Sequence, residues 1–498
     1  MQENQDKQAN QETQQAQQNE QRENLENKPS ECAQDNLPKP QKLQKPQTLQ
    51  EWKDKFFKKR PKEQKTQKQQ KTIRAFWAIV IAVASFIVGA FSCWLWIGPE
   101  FRTLITTKKY IDYFYYDDID DSQFFGVIYD AINGEVLDNY SYYMTTDEYQ
   151  EYTTAGEGKR SGIGLVFTTR NDGDAEMRIV RVCGNSPAEK ADIKAGEYVV
   201  GFGADESFIM DSTVFQDFSD FLGDYDASEI FYIKIQSGVG ADAEIRIVPI
   251  AKEAYVENYV FYRTAETAYR FEGKDALTLV EKGNALPCLD AQTAYIHLTE
   301  FNGEASAEFI KAMKQFRADG MKNLVLDLRG NGGGYLRIMQ DIAAYFCKNS
   351  KDKKPLVAVA DYGKQKQGFR ASGNYYWDYF DADSRICVLA DNESASASEC
   401  LIGSMIDYGA ISYADICLTE RSGEIKTFGK GIMQSTYPLV FGGGAVKLTT
   451  AVIRWPVSNH CIHGRGVLPE DGALYISEIG NFDMEIAASI EKIVLVNG

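Results

Sequence analysis

Val388-Leu-Ala-Asp-Asn-Glu-Ser-Ala-Ser-Ala-Ser-Glu399 runs from an apolar strand through a stretch of small residues into a helix. Small residues let a backbone turn tightly and let a ligand approach it. A serine at a helix start lies beside unpaired N–H groups, which can hold a developing oxyanion. Serine, asparagine and aspartate also favour helix N-caps for structural reasons alone, so this stretch by itself leaves both readings open.

Two further stretches share its character. Asp327-Leu-Arg-Gly-Asn-Gly-Gly-Gly334 closes a buried strand and precedes a helix. Its glycines permit close backbone approach and leave N–H groups free for a second oxyanion donor. A phosphate loop is disfavoured, because no Gly-Lys-Ser/Thr follows. In Lys426-Thr-Phe-Gly-Lys-Gly-Ile-Met-Gln434, Lys430 stands between glycines in a locally uncharged segment. Burial there would disfavour its cation and bring it towards the range of a general base. A surface lysine in a turn is the alternative.

Outward from these stretches the apolar pattern alternates between strand and helix. Ala294–Phe301, Asn323–Leu328, Leu356–Ala360 and Ile386–Ala390 read as strands. Ala305–Arg317, Ile338–Cys347 and Ser396–Tyr408 read as helices, with a last helix around Met484–Leu495. Such alternation implies a mixed α/β core with parallel pairs. Before it, residues 158–252 are β-rich, with Gly162–Val166 and Arg178–Val182 as strands, and residues 104–155 look helical and rich in Tyr and Asp. Tyr255–Tyr262 is strand-like, and residues 253–480 form the remaining core region.

The formal net charge is −17. Residues 1–74 hold 16 Lys and Arg against 11 Asp and Glu, and the rest of the chain holds 38 against 60. An acidic body repels phosphate backbones, which argues against nucleic acid as a partner. Residues 1–72, dominated by Gln, Lys, Glu and Asn, have little to bury and read as a disordered tail. Ala75–Ile97 is 23 residues without a charge, about 34 Å as a helix and enough for a membrane core. Its basic flank predicts a cytoplasmic N-terminus, a retained single-pass anchor in the cell membrane, and residues 100–498 outside. None of the nine cysteines forms a Cys-x-x-Cys pair, so they read as small buried residues. The three histidines, His297, His460 and His463, support neither a Ser-His-Asp triad nor a metal site; the spacing of His460-Cys-Ile-His463 lacks a second ligand pair.

Together the three stretches resemble the C-terminal processing peptidases, also called tail-specific proteases, over about residues 104–475. Ser394–Glu399 matches the family's S-A-S-A-S-E, Phe428–Gln434 its F-G-K-G-x-x-Q, and Asp327–Gly334 its glycine turn. Gly134–Tyr143 with Glu148 and Tyr149 is similar to the helical segment before the family's PDZ domain. Gly162–Leu165 and Asn185–Gly196 resemble that PDZ domain, and Gly464–Pro469 fits the family's ending. The resemblance implies a ClpP/crotonase-like core and a serine-type endopeptidase. Ser396 would be the nucleophile, Lys430 the general base and Gln434 its orienting partner. Oxyanion donors would come from Ala397 and from Gly332 or Gly333, and the loop Gly162, Ile163, Gly164 and Leu165 would receive a peptide C-terminus. No cofactor or metal is implied. The implied partners are protein or peptide substrates with free C-termini, and the resemblance allows a homo-oligomer. Asp407 is expected to be structural. A catalytically inactive PDZ peptide-binding receptor or scaffold is the other reading, which the retained Ser396, Lys430 and Gln434 weigh against. Two features depart from the family. Lys430 follows Ser396 by 34 positions, with the extra length expected in a loop near Tyr413–Glu424, and Asp391-Asn-Glu393 lacks the glycine often found before the serine.

Overall fold

The computed structural model describes residues 63–497 except 116, 168–176, 238–242, 273–275, 284, 349–350, 441–442 and 480. The chain divides into two compact units, residues 1–116 and 117–498. Most of the segment read as a disordered tail lies outside the described residues. Its last ten residues do not fit that reading, because the first helix already begins at Glu63 and runs to Trp96. Gln, Lys and Glu are good helix formers, and an apolar helix that has nucleated propagates through them at little cost. Within it, Arg74–Ser92 is long and apolar enough to cross a membrane, and none of it is buried. A second helix of this unit, Pro99–Phe114, starts with proline in its first turn.

In the second unit, Asn323-Leu-Val-Leu-Asp327 is a continuous apolar run. Such runs fit a strand covered on both faces. It pairs in parallel with Thr293–Leu298 on one side and Ile386–Ala390 on the other. Ile416–Thr419 and Leu474–Ile476 extend the parallel set, and Val260–Arg263, Thr267–Glu272 and Ala276–Lys282 add antiparallel strands to make an eight-stranded sheet. Alternate residues serve opposite faces. Ala294, Ile296, Leu324, Leu326 and Val388 join the large core with helices Ala305–Ala318, Leu336–Ala343 and Ala397–Asp407. Tyr295, Val325, Leu389 and Cys417 face the C-terminal helix Phe482–Asn497.

The stretch Tyr413–Glu424 corrects an expectation. It is not simply a loop of extra length. Ile416–Thr419 inside it is a fully buried strand of the main sheet, because four consecutive residues of low polarity fill a place covered on both faces.

A second, antiparallel sheet joins Tyr142–Met144, Ala445–Arg454, Leu356–Asp361 and Lys366–Arg370, with Ile432–Pro438 also paired to Ala445–Arg454. Its edge strand Tyr142–Met144 lies in a region that reads as helical from sequence. Helices Asp121–Ala131 and Thr146–Gly156 flank it, the latter opened by a reciprocal Thr145–Glu148 cap.

The β-rich region has its own core, built from Ile179, Val199, Phe202, Phe218, Phe231, Ile233 and Ile250. A four-stranded sheet, in the order Phe208–Asp211, Tyr198–Asp205, Ile230–Gln236 and Ile245–Ala251, carries most of it. Where the chain leaves this region, buried Glu257 pairs with Arg160 at 2.9 Å and with Arg181, and Arg160 reaches Glu300 at 3.3 Å. Cys183, Cys288, Cys347, Cys387, Cys400, Cys417 and Cys461 are free.

Candidate active site

The serine stretch and the glycine turn leave the carboxyl ends of two neighbouring parallel strands, with Asp327 in register with Leu389. Loops at that edge of a parallel sheet converge on one crevice. Asn331 ties them together. This fully buried side chain accepts the Gly333 N–H at 2.9 Å and donates to the Leu298 carbonyl at 2.7 Å. Its own carbonyl accepts the Ala395 N–H at 3.0 Å and the Ser398 hydroxyl at 2.9 Å.

This arrangement separates the three serines. Ser394 is fully buried and donates to the Leu328 carbonyl at 2.7 Å, and Ser398 is equally buried on Asn331. Of the three, only Ser396 is half-buried, and among the described residues its hydroxyl makes no side-chain cap hydrogen bond. Its backbone has φ 57° and ψ −108°, a conformation rare outside glycine that is held by its surroundings and typical of functional sites. Gly333 explains how the turn fits. At φ +103°, a Cβ on it would stand 2.8 Å from Ser396 Cβ and 3.0 Å from the Ala397 nitrogen. Only glycine lets the two loops approach so closely.

The structure distinguishes the two expected glycine donors. The Gly333 N–H is committed to Asn331. The N–H groups of Gly332 and of Ala397, first residue of its helix, have no hydrogen-bond partner among the described residues. A Cβ on Gly332 would meet open space.

Lys430 arrives from the second sheet, two residues before strand Ile432–Pro438. Glu399, fully buried, joins it to the serine. Glu399 Oε2 accepts the N–H of Ser396 at 3.0 Å and of Lys430 at 2.8 Å. Oε1 accepts the Thr427 hydroxyl at 2.6 Å and the Gly429 N–H at 2.8 Å. The two amide nitrogens are therefore no farther apart than two hydrogen bonds laid end to end. Burial pushes the Glu399 carboxyl up from its ordinary value, and the four hydrogen bonds pull the other way. Glu399 was not assigned a role from the sequence, although serine followed three residues later by glutamate is the capping-box spacing that signals such a bond.

Lys430 is half-buried. Burial, then the charge of Lys447, holds its amine below the ordinary lysine range, while Glu399 and Asp138 oppose the shift. Its Nζ lies 4.8 Å from the ring centre of Tyr140. Gln434 lies on the adjoining strand, opposite Thr449, to which its amide donates at 3.3 Å. Thr449 in turn is bonded by Ser141 and Asp138.

Beneath the glycine turn, buried charges form a connected set. Arg329 pairs with Asp327 at 2.6 Å and Glu485 at 3.0 Å, and Arg421 pairs with Glu485 at 2.6 Å and Asp391 at 3.4 Å. Asp391 accepts the Gly330 N–H at 3.0 Å. His297 sits under this set, 3.4 Å from the Arg329 carbonyl, with burial holding its ring below the ordinary value. His460 meets the Trp455 ring edge-on, with ring centres 4.8 Å apart. Asp407 accepts the Val457 and Ser458 N–H groups at 2.8 and 2.9 Å, a structural role.

Residues 327–334, 394–399 and 427–434 all lie within one family match. Residues 292–471 match peptidase family S41. Over those and neighbouring residues the chain is similar to proteins named C-terminal processing peptidases. It is 26% identical over 359 residues to a probable CtpA-like serine protease of Staphylococcus aureus strain COL, covering 72% of this chain and 61% of that protein. The match thus spans less than two thirds of that relative. It is 27% identical over 352 residues to the chloroplastic C-terminal processing peptidase of Tetradesmus obliquus, covering 69% of this chain and 67% of that one. A solved structure titled photosystem II D1 C-terminal processing protease aligns with a TM-score of 0.43 at 22% identity, over 74% of this chain and 85% of that one.

Proposed function

We propose that this chain is a membrane-anchored serine endopeptidase that cuts extracytoplasmic proteins near their C-termini, with Ser396 as nucleophile and Lys430 as general base. The observation that carries the reading is the Glu399 carboxylate, one oxygen of which holds the backbone of both residues. The neutral Lys430 amine takes the proton from Ser396 Oγ as that oxygen attacks a peptide carbonyl. The N–H groups of Ala397 and Gly332 stabilise the tetrahedral oxyanion, each worth about 2.7–4 kcal/mol in enzymes of this kind. The lysine ammonium then protonates the leaving amine. Water activated by the same amine hydrolyses the acyl-enzyme.

Substrate capture belongs to the β-rich region, read as a PDZ domain over residues 158–252, beside a ClpP/crotonase-like core over 253–480. Support comes from Ile163 and Gly164, whose N–H groups have no partner among the described residues and can donate to a terminal carboxylate. Beside them, Phe167 packs on Phe215 and Phe218, apolar walls for an extended peptide added as a strand. The anchor reading rests on Arg74–Ser92 and its basic flank, which would leave the catalytic region outside the cytoplasm.

The test uses the full-length protein in detergent and a peptide with a free C-terminus. Wild type releases C-terminal fragments, and Ser396→Ala releases none while melting at the wild-type temperature. Cleavage by Ser396→Ala at the wild-type rate refutes the reading. Equal binding of a C-terminally amidated peptide refutes carboxylate capture.

A further inference from the structure

Lys430 is not the only half-buried lysine at the site. Lys447, on strand Ala445–Arg454, stands in register with Thr436 on one side and Tyr142 on the other. Its Nζ lies 5.3 Å from the ring centre of Tyr142 and 5.0 Å from that of Tyr152, and it donates to the Tyr142 hydroxyl at 3.4 Å. Among the described residues, neither Lys447 nor Lys430 has an ion-pair partner. Lys430 rests on Tyr140 and Lys447 on Tyr142, two residues farther along the same segment, so the charge of Lys447 acts against the Lys430 cation.

The surroundings decide which of the two keeps its charge. Lys447 has two aromatic faces and a hydroxyl acceptor, all of which stabilise a cation. Lys430 has one face, that of Tyr140, and Glu399, which holds its backbone N–H, is already saturated by four donors. The other charged or titratable groups around the pair are Asp138, whose carboxylate accepts the Tyr140 N–H and the Thr449 hydroxyl, and Glu148 and Glu151 in the cavity of about 400 Å³ beside Tyr142 and Tyr152. Glu148 is bonded back to Thr145.

We propose that Lys447, gripped by Tyr142 and Tyr152, is a positioning residue of the reaction whose fixed positive charge keeps the Lys430 amine in the neutral form that accepts the Ser396 proton. The segment 138–152, which precedes the β-rich region in the chain, thereby completes the active site. It brings Tyr140 to Lys430, and Tyr142 and Tyr152 to Lys447. The inference rests on the serine–lysine reading above and deepens it.

The experiment compares wild type, Lys447→Met and Lys447→Arg as full-length proteins in detergent. In Lys447→Met the rising limb of kcat/KM against pH moves to higher pH. Activity at pH 7 falls on the order of tenfold and returns towards wild type in alkali. Lys447→Arg keeps the wild-type limb. Lys447→Gln carries the same test in a polar side chain if methionine does not pack. A uniform loss at every pH, with the limb unmoved, overturns the proposal. A second readout is independent of turnover. In the Ser396→Ala background, acetylation of Lys430 by acetic anhydride is followed against pH by mass spectrometry. The pH of half-maximal labelling rises when Lys447 becomes Met. If that shift appears while wild type cleaves no peptide, the protease reading falls and the lysine coupling stands. If labelling is unchanged, the coupling is wrong whether or not the protein cleaves peptides.

Discussion

Replacing Glu399 by Gln keeps the volume of the side chain and removes one acceptor oxygen. The remaining amide oxygen can serve only one of the two donor pairs that the carboxylate serves now. If the amide nitrogen turned towards Ser396 and Lys430, it would confront two backbone N–H groups that can only donate. Turned the other way, it meets Gly429, which can only donate, and Thr427, whose hydroxyl can rotate to accept. The second orientation wins. It keeps the bond across Ser396 and Lys430 but leaves the Gly429 N–H facing another donor. It also turns three charge-assisted hydrogen bonds into neutral ones. A hydrogen bond to a charged group is worth about 1.5–3 kcal/mol and a neutral one about 1. One bond lost and three weakened therefore exceed the relief of no longer burying a charge, leaving a net loss of about 3 kcal/mol. Because Gly429 precedes Lys430 directly, the displaced turn also carries the lysine away from the serine. Glu399→Gln should unfold at lower denaturant with an unchanged slope, and Ser396 should react with a fluorophosphonate at least ~10-fold more slowly. Glu399→Ala, which orphans all four donors, should lose more of both. A Glu399→Gln protein matching wild type in denaturation midpoint and acylation rate would show that the shared carboxylate neither holds the turn nor sets the distance.

Two neighbouring glycines of the turn, Gly332 and Gly333, should behave oppositely. Gly333→Ala places a methyl 2.8 Å from Ser396 Cβ at a φ of +103°, so fluorophosphonate labelling should fall by ~100-fold or more, whereas Gly332→Ala, with open space around its Cβ, should fold with wild-type stability in thermal denaturation. Burial raises the Glu308 carboxyl from 4.5 to about 7 even though it accepts the Tyr259 and Val260 N–H groups. The folded state thus holds a proton that the unfolded state releases, and the stability this contributes is complete below about pH 4.5 and lost as pH rises through 7. Glu308→Gln keeps the acceptor and removes the titration. Its stability against urea should therefore stay flat from pH 5 to 8 while wild type declines, the variant ending ahead by up to about 3 kcal/mol at pH 8.

Much of the main sheet was legible because its strands are long apolar runs: Asn323–Asp327 and Ile386–Ala390 appear almost where the pattern puts them. The second sheet was not. Ile432–Pro438 and Ala445–Arg454 mix Lys, Thr, Ser and Gln with apolar residues, since most of their positions are only half-buried. Tyr142–Met144 is three residues long and takes its form from its partner strand, not from its own propensity. In the site, the serine stretch, the glycine turn and the lysine were each visible as unusual local sequences. The partners that bind them to one another were not, because Asn331, Thr449 and Lys447 are ordinary residues until folding gives them neighbours.

The sequence by itself determined which segments could do chemistry, because turn geometry, helix starts and apolar anchors are local properties written in consecutive residues. Tertiary structure alone decided that, among the described residues, Ser396 is the one serine of three left half-buried and Gly332 rather than Gly333 has an N–H without a partner, and that Tyr140 and Tyr142 of one segment meet Lys430 and Lys447. Each of those outcomes depends on which donors and charges meet across tens or hundreds of residues. Hydrogen-bond saturation and electrostatics act over a few ångströms of space, whatever the separation along the chain.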